Sequence, residues 1–465
     1  MTEGTIILFG ATGDLSKRRI IPALYTLFRD KKVENFKCIG VAYESTTKEE
    51  VLQASKPYVE SCNEELWNCF SANFYYLKVD VTQQSDFVGL ADFIASLEQK
   101  NKGVNNRLLY LALPPQLFVT VTEQCAYAGI INKMHDEETV PWRRIVYEKP
   151  FGSDFQSALL INKTISHYLE EFQIFRVDHY LAKDIVGTLA LVRFTNRIFE
   201  PLWNAENIDW VEIELSETSD IGNRGYYYDS YGALKDVVQN HILQIIALLA
   251  MESPQSLSGD FIRDKKAEIL QKIRCSDGIL GQYRGYREEK NVQSDSTTET
   301  FAALQLFVDT DRWKKVPWYI RTGKCLTKKE TVITIQFKSV ACLLTTSCPS
   351  ESNCLTIRVM PEPGFAITLN VKKPGPRVEV MPVAMDFCYE CKFGTVVENV
   401  YEFVLQEVLH GEQSISVRFD EIEYAWQVID QIKRLNLPLC VYQKESQGPH
   451  ELQIFAEKNK MKWRL

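Results

Sequence analysis

The chain has 465 residues, 45% of them apolar and 25% charged, with a net charge of −8. That profile is globular and too long for one core, and its acidic balance argues against nucleic acid or an anionic membrane as a partner. No apolar run approaches the roughly 18–20 residues a bilayer span needs. The N-terminal "MTEGTIILFG" lacks the basic flank and apolar length of a signal peptide, so a cytoplasmic location is expected.

The first half alternates strand and helix patterns. "TIILFG" reads as a fully buried parallel strand, and "DLSKRRIIPALYTLFRDK" as a helix that must kink or restart at Pro22. Further strands are expected at "FKCIGVAY", "NFYYLKVDV", "NRLLYLALPP" and "RRIVYEKPFG", with helical segments such as "FVGLADFIASLEQ" between them. This alternation predicts an α/β Rossmann-type doubly wound parallel sheet over residues 1–178. From 179 to 465 the pattern becomes α+β with a large, mainly antiparallel sheet, carried by "IDWVEIELSE", "TFAALQLFV", "ETVITIQFK", "CLTIRVMP" and "FAITLNVKK". "ALKDVVQNHILQIIALLA" and "TVVENVYEFVLQEVLHG" are its long helices.

At the first strand–helix turn lies "GATGDLS". Glycine there lets backbone approach a pyrophosphate, and the following helix N-terminus favours the anion, so Gly10, Thr12, Gly13, Asp14 and Leu15 are candidate cofactor residues. The spacing is G-x-x-G without the third glycine of the common dinucleotide fingerprint. The second strand ends in Tyr43 and Glu44, with Lys48 the nearest base. An acid at that place accepts from a ribose 2′-hydroxyl and an arginine holds a 2′-phosphate, so these residues alone lean towards NAD.

Chemistry concentrates in "RVDHYLAKD", residues 176–184, and in "LKDVVQNHILQ", where Asp236, Asn240 and His241 sit in a mostly apolar helix. Buried polar groups need partners. At α-helical spacing Asp236 and Asn240 share a face, while His241 is rotated by about 100° from Asn240 towards another element. Lys149 stands at a strand end beside Pro150, and Lys324 and Lys329 lie in "RTGKCLTKKE". The 12 cysteines show no disulfide framework. Cys388 and Cys391 form one C-x-x-C, with Cys342, Cys348 and Cys354 upstream, but no second pair or histidine completes a zinc set. Free thiols and no metal are expected.

Taken together, "GATGDL", "YLALPP", "EKPFG", "RVDHYLAKD" and "DVVQNH" occur in the order, and nearly the wording, of the glucose-6-phosphate dehydrogenases, which this sequence resembles from about residue 5 to about 440. The resemblance implies oxidation of glucose 6-phosphate at C1 to the lactone, the first oxidative step of the pentose phosphate pathway. His241 would be the general base and Asp178 its carboxylate partner. His179, Tyr180 and Lys183 would hold the 6-phosphate. Lys149, Lys324 and Lys329 would contact sugar or phosphate, and Glu217 and Asp236 the sugar hydroxyls. Pro115, Lys149 and Pro150 would line the cofactor cleft. NADP is the implied cofactor, and a homodimer or homotetramer the implied assembly.

Three departures stand out. Ala182 and Asp184 replace a family glycine and glutamate. Tyr43 replaces the arginine that grips the 2′-phosphate, which admits NAD or dual use. Trp463 resembles the stacking aromatic of a second, structural NADP site, but Gln447, Glu330 and Thr334 stand where that site has bases, so the second site is expected to be absent. Two other readings compete. A short-chain dehydrogenase needs Tyr-x-x-x-Lys, and Tyr180 and Lys183 are one residue too close. A catalytically silent sugar-phosphate-binding paralogue would be expected to lose the base or its acid, and this chain keeps Asp178 and His241.

Overall fold

The computed structural model describes residues 2–100, 105–256, 258–340, 352–376, 379–394 and 400–463. The chain forms two compact units, the first comprising Met1–Ala182, Pro254–Asp264 and Asn399–Glu423, the second Lys183–Ser253, Lys265–Glu398 and Tyr424–Leu465. The cysteines Cys342 and Cys348 fall outside the described residues. No helix among the described residues is long and apolar enough to cross a membrane.

The first unit is built on strands β1 (Thr2–Phe9), β2 (Val33–Ala42), β3 (Phe74–Lys78), β4 (Arg107–Leu111), β5 (Arg143–Tyr147) and β6 (Ile174–Arg176). They pair in parallel in the order β3-β2-β1-β4-β5-β6. This is the doubly wound order that reverses at β1, where such sheets place their ligand. The strands read as continuous apolar runs because both faces are covered: Ile6 and Leu8 of β1 pack in one cluster with Leu24, Phe70 and Tyr110. The first helix restarts just ahead of Pro22, as its ring requires: Ser16–Ile20 is a π-turn and Ile21–Arg29 an α-helix.

The helix Val400–His410, which chain order placed with the second domain's sheet, packs in this first core through Val404, Leu405, Val408 and Leu409. Arg144 on β5 donates to the carbonyls of Val408 and Leu409 at 2.9 and 2.8 Å, satisfying the open C-terminal end of that helix.

The second unit carries strands β7 (Ile208–Ser216), β8 (Ile273–Tyr283), β9 (Phe301–Val308), β10 (Pro317–Gly323), β11 (Glu330–Phe337), β12 (Cys354–Met360), β13 (Gly364–Lys372), β14 (Val380–Cys388) and β15 (Leu439–Tyr442). They form one sheet in the order β14-β13-β12-β11-β7-β10-β9-β8-β15. Pairing is antiparallel except between β7 and β10 and between β8 and β15.

One cysteine expectation is corrected. Cys388 and Cys391 are joined as a disulfide. Cys388 caps the short helix Tyr389–Phe393, accepting from the Cys391 N–H at 3.1 Å, and this turn holds their Cα atoms 5.2 Å apart, within bridging reach. Cys38, Cys62, Cys69, Cys125, Cys275, Cys325, Cys354 and Cys440 are free thiols.

Candidate active site

In the first unit the candidates gather at the carboxyl ends of the strands. β1 is followed by Gly10, which has φ +78; a Cβ there would lie 2.3 Å from the Ala112 carbonyl oxygen. Only glycine accepts both the left-handed backbone and that close approach of β1 to the segment after β4. The turn is closed by Gly13 N–H donating to Gly10 O at 3.0 Å and by Ser16 Oγ donating to the same carbonyl at 2.8 Å. A Cβ at Gly13 would meet only Gly10 O, at 3.1 Å, so the backbone is bare on that side. A bare turn leading into a helical segment fits the pyrophosphate of a dinucleotide. Asp14 pairs with Arg18 at 2.6 Å. Thr12 Oγ1 donates to Glu44 Oε2 at 2.8 Å, bringing the acid that follows β2 against the turn. Tyr43 is 66% exposed, with Lys78 Nζ 5.7 Å from its ring centre. Pro115 opens a short 3₁₀ turn beyond β4.

Beyond β5, Glu148, Lys149 and a cis-linked Pro150 follow one another. Glu148 accepts from Tyr110 Oη at 2.5 Å. Burial pushes its carboxyl up to about 7, with Tyr110 and Lys149 pulling back and Asp178 adding to the rise. Beyond β6, Asp178 is buried and its Oδ1 accepts from the Tyr180 N–H at 2.8 Å. The His179 and Tyr180 rings lie 5.1 Å apart. Arg176, part of the same charged stretch, is a structural anchor: it is buried, bonded to Glu171 and Asn162, and its N–H donates to Ser416 Oγ.

In the second unit the parallel pairing of β7 and β10 aligns Ser216 with Gly323, so the next residue of each strand falls alongside. Glu217 N–H donates to Gly323 O at 2.9 Å, and the Lys324 ammonium forms a very short ion pair with the Glu217 carboxylate. Lys324 is buried, with Nζ 5.3 Å from the Tyr228 ring centre. Tyr227 Oη donates to Asp236 Oδ1 at 3.3 Å, and burial with nearby Asp236 pushes both tyrosine hydroxyls far up, keeping them protonated donors. Lys183 Nζ lies 3.7 Å from Met360 Sδ. Lys329 is exposed, and no hydrogen bond or ion pair joins it to the Lys324–Glu217 pair among the described residues.

The helix carrying His241 departs from the expected geometry. Leu234–Ile242 is a π-helix, followed by the α-helix Leu243–Ala250. Hydrogen bonds i→i+5 widen each turn, and Asn240 Nδ2 still reaches the Asp236 carbonyl, at 3.5 Å. Asn240 is half-buried and Nδ2 is used on the Lys235 carbonyl at 2.9 Å, while Asp236 and His241 are both buried. Tyr227, Tyr228 and Glu148 were not singled out by sequence. The signal for the tyrosines was the aromatic run "GYYYDSY" immediately ahead of the histidine helix.

Trp463 is 6% exposed, stacked on Phe455 with centroids 6.1 Å apart, and the Arg321 guanidinium lies 5.5 Å from its ring. Its faces are thus engaged by the chain's own side chains.

A parallel sheet of this order, with a glycine turn after its first strand and titratable groups at the strand ends, defines a dinucleotide-binding protein. The sequence profile "Glucose-6-phosphate dehydrogenase, NAD binding domain" matches residues 7–187, and "Glucose-6-phosphate dehydrogenase, C-terminal domain" matches 190–464. Glucose-6-phosphate 1-dehydrogenase of Chlamydia pneumoniae is 36% identical over 99% of this chain and 95% of its own. The Bacillus subtilis protein of the same name is 35% identical over 99% and 98%. A solved structure of glucose-6-phosphate dehydrogenase in complex with its substrate glucose-6-phosphate superposes with TM-score 0.91 at 31% identity, covering 100% of this chain and 99% of that one. The chain belongs to the glucose-6-phosphate dehydrogenase family.

Proposed function

We propose that this chain oxidises glucose 6-phosphate at C1 to 6-phosphoglucono-δ-lactone, with His241 as general base and Asp178 as its carboxylate partner. When bound in the Rossmann unit, NADP or NAD supplies the hydride acceptor. His241 takes the C1 hydroxyl proton as the C1–H bond gives up its electron pair, and the Asp178 carboxylate stabilises the imidazolium so formed. His179, Tyr180 and Lys183 offer an imidazole, a phenol and an ammonium, charge-assisted donors suited to a phosphate dianion. Lys324, held by Glu217, and Asp236, with its tyrosine donor, orient the sugar hydroxyls. Lys149 and Pro150 line the side towards the cofactor, with Pro115. Lys329, which is exposed, assists at the sugar or its phosphate.

The observation that carries this reading is that both buried groups are retained, Asp178 at the β6 end and His241 on its π-turn, in a chain matched end to end by the family. The His241→Asn variant tests it. kcat falls by about 10²–10⁴-fold while glucose 6-phosphate binding by calorimetry stays within a few-fold. Turnover surviving within about tenfold would remove the base assignment.

Assembly into a homodimer or homotetramer through the nine-stranded sheet belongs to the same proposal. The exposed apolar side chains Val371, Met381, Val383, Met385 and Phe387 at its β13–β14 edge support it. Light scattering of the purified chain gives the mass directly, and a monomer at working concentration would refute it.

A further inference from the structure

We propose that Glu44 selects the dinucleotide, favouring one whose adenosine ribose carries a free 2′-hydroxyl over one carrying a 2′-phosphate; the assignment rests on the functional reading above. Glu44 follows β2, the strand that flanks β1 at the point where the sheet order reverses. Its main chain is held by Tyr76 Oη donating to Glu44 O at 2.6 Å, and its carboxylate by the Thr12 hydroxyl at 2.8 Å. Thr12 belongs to the glycine turn itself. The carboxylate is therefore anchored against the turn while Glu44 remains exposed to solvent. An oriented carboxylate there accepts from a ribose hydroxyl and opposes a phosphate that carries nearly two negative charges.

The cations around this edge do not cancel the acid. Arg18 is committed to Asp14 at 2.6 Å, and Lys48 lies 3.9 Å from Glu49. Lys78 donates to Ser45 Oγ at 3.1 Å and rests on the Tyr43 ring. Lys17 stands over the Tyr58 ring at 5.6 Å and lines a cavity of about 200 Å³ with Ala11, Thr12, Thr46 and Glu50. Three further acids, Asp14, Glu49 and Glu50, share the rim with these four bases. Tyr43 offers a ring and one hydroxyl, not the planar fork of donors with which an arginine grips a phosphate.

The test titrates the wild-type chain, Glu44→Gln and Tyr43→Arg with NAD+ and NADP+ by calorimetry. Wild type is expected to bind NAD+ at least about tenfold more tightly than NADP+, the fold-change that one charge-assisted hydrogen bond sustains. E44Q should weaken NAD+, strengthen NADP+ and narrow the ratio to within about threefold, and Y43R should strengthen NADP+. Tighter NADP+ binding by wild type, or an E44Q ratio equal to wild type, overturns the assignment while leaving the dinucleotide site intact. If wild type binds neither cofactor, the functional reading and this assignment fall together.

Discussion

Gly10→Ala separates two reasons for a glycine in the phosphate turn. At φ +78 an alanine enters the left-handed region, which costs roughly 1–2 kcal/mol. Its Cβ would also sit 2.3 Å from Ala112 O, a distance that forces β1 and the segment after β4 apart. Overpacking of this kind adds about 1–3 kcal/mol, for a loss near 3 kcal/mol in all. In a unit of roughly 200 residues that lowers the melting temperature by about 6–12 °C. Gly13→Ala is the control, because its Cβ would meet only Gly10 O at 3.1 Å and its φ lies outside the left-handed region. It should melt within about 2 °C of wild type yet bind NAD+ and NADP+ more weakly. Differential scanning fluorimetry with and without dinucleotide reads both effects. If Gly10→Ala melts within about 1 °C of wild type, the glycine serves no packing need and the reasoning fails.

Glu148→Gln should change stability in a pH-dependent way. The folded carboxyl titrates near 7 and the unfolded one near 4.5, so the folded state holds a proton that the unfolded state loses in that window. Stability contributed by this group is present below about 4.5 and lost as pH rises through 7; the glutamine variant should be more stable than wild type at pH 8, by at most about 3 kcal/mol, and approach it at pH 5. Equal differences at both values would contradict this. Trp463→Ala should cost about 3–5 kcal/mol, because a buried indole packed on Phe455 and Tyr319 is removed. Calorimetry should find one dinucleotide per chain, since Trp463 is engaged by Phe455 and Arg321; a stoichiometry of two would refute that view.

Much of the first unit was legible because its strands are buried on both faces and read as unbroken apolar runs. β6 was not, since three residues, Ile174–Arg176, are too few to show a period. In the second sheet, alternation revealed β7, β9, β11, β12 and β13. β8 hid because its first half, "IRCSD", is mostly polar with only Ile273 fully buried, and β15 because it has only four residues. β10 opens on Pro317, which reads as a break, although its parallel pairing with β7 is what sets Lys324 beside Glu217. The family motifs carry most of the candidate residues. Spacing alone reads the histidine helix as α-helical, because no residue in "LKDVVQNHI" announces a π-turn. Glu44 was visible at its strand end, but its Thr12 anchor is a contact between residues 32 apart that no local pattern carries.

Initial rates of dinucleotide reduction with glucose 6-phosphate as the sole reductant, for wild type and His241→Asn side by side, decide whether the chain catalyses this oxidation through His241. Wild type should show saturable turnover with at least one of NAD+ and NADP+ and stoichiometric lactone, and the variant a rate reduced by about 10²–10⁴-fold. A folded wild-type chain that binds glucose 6-phosphate and reduces neither dinucleotide would contradict it.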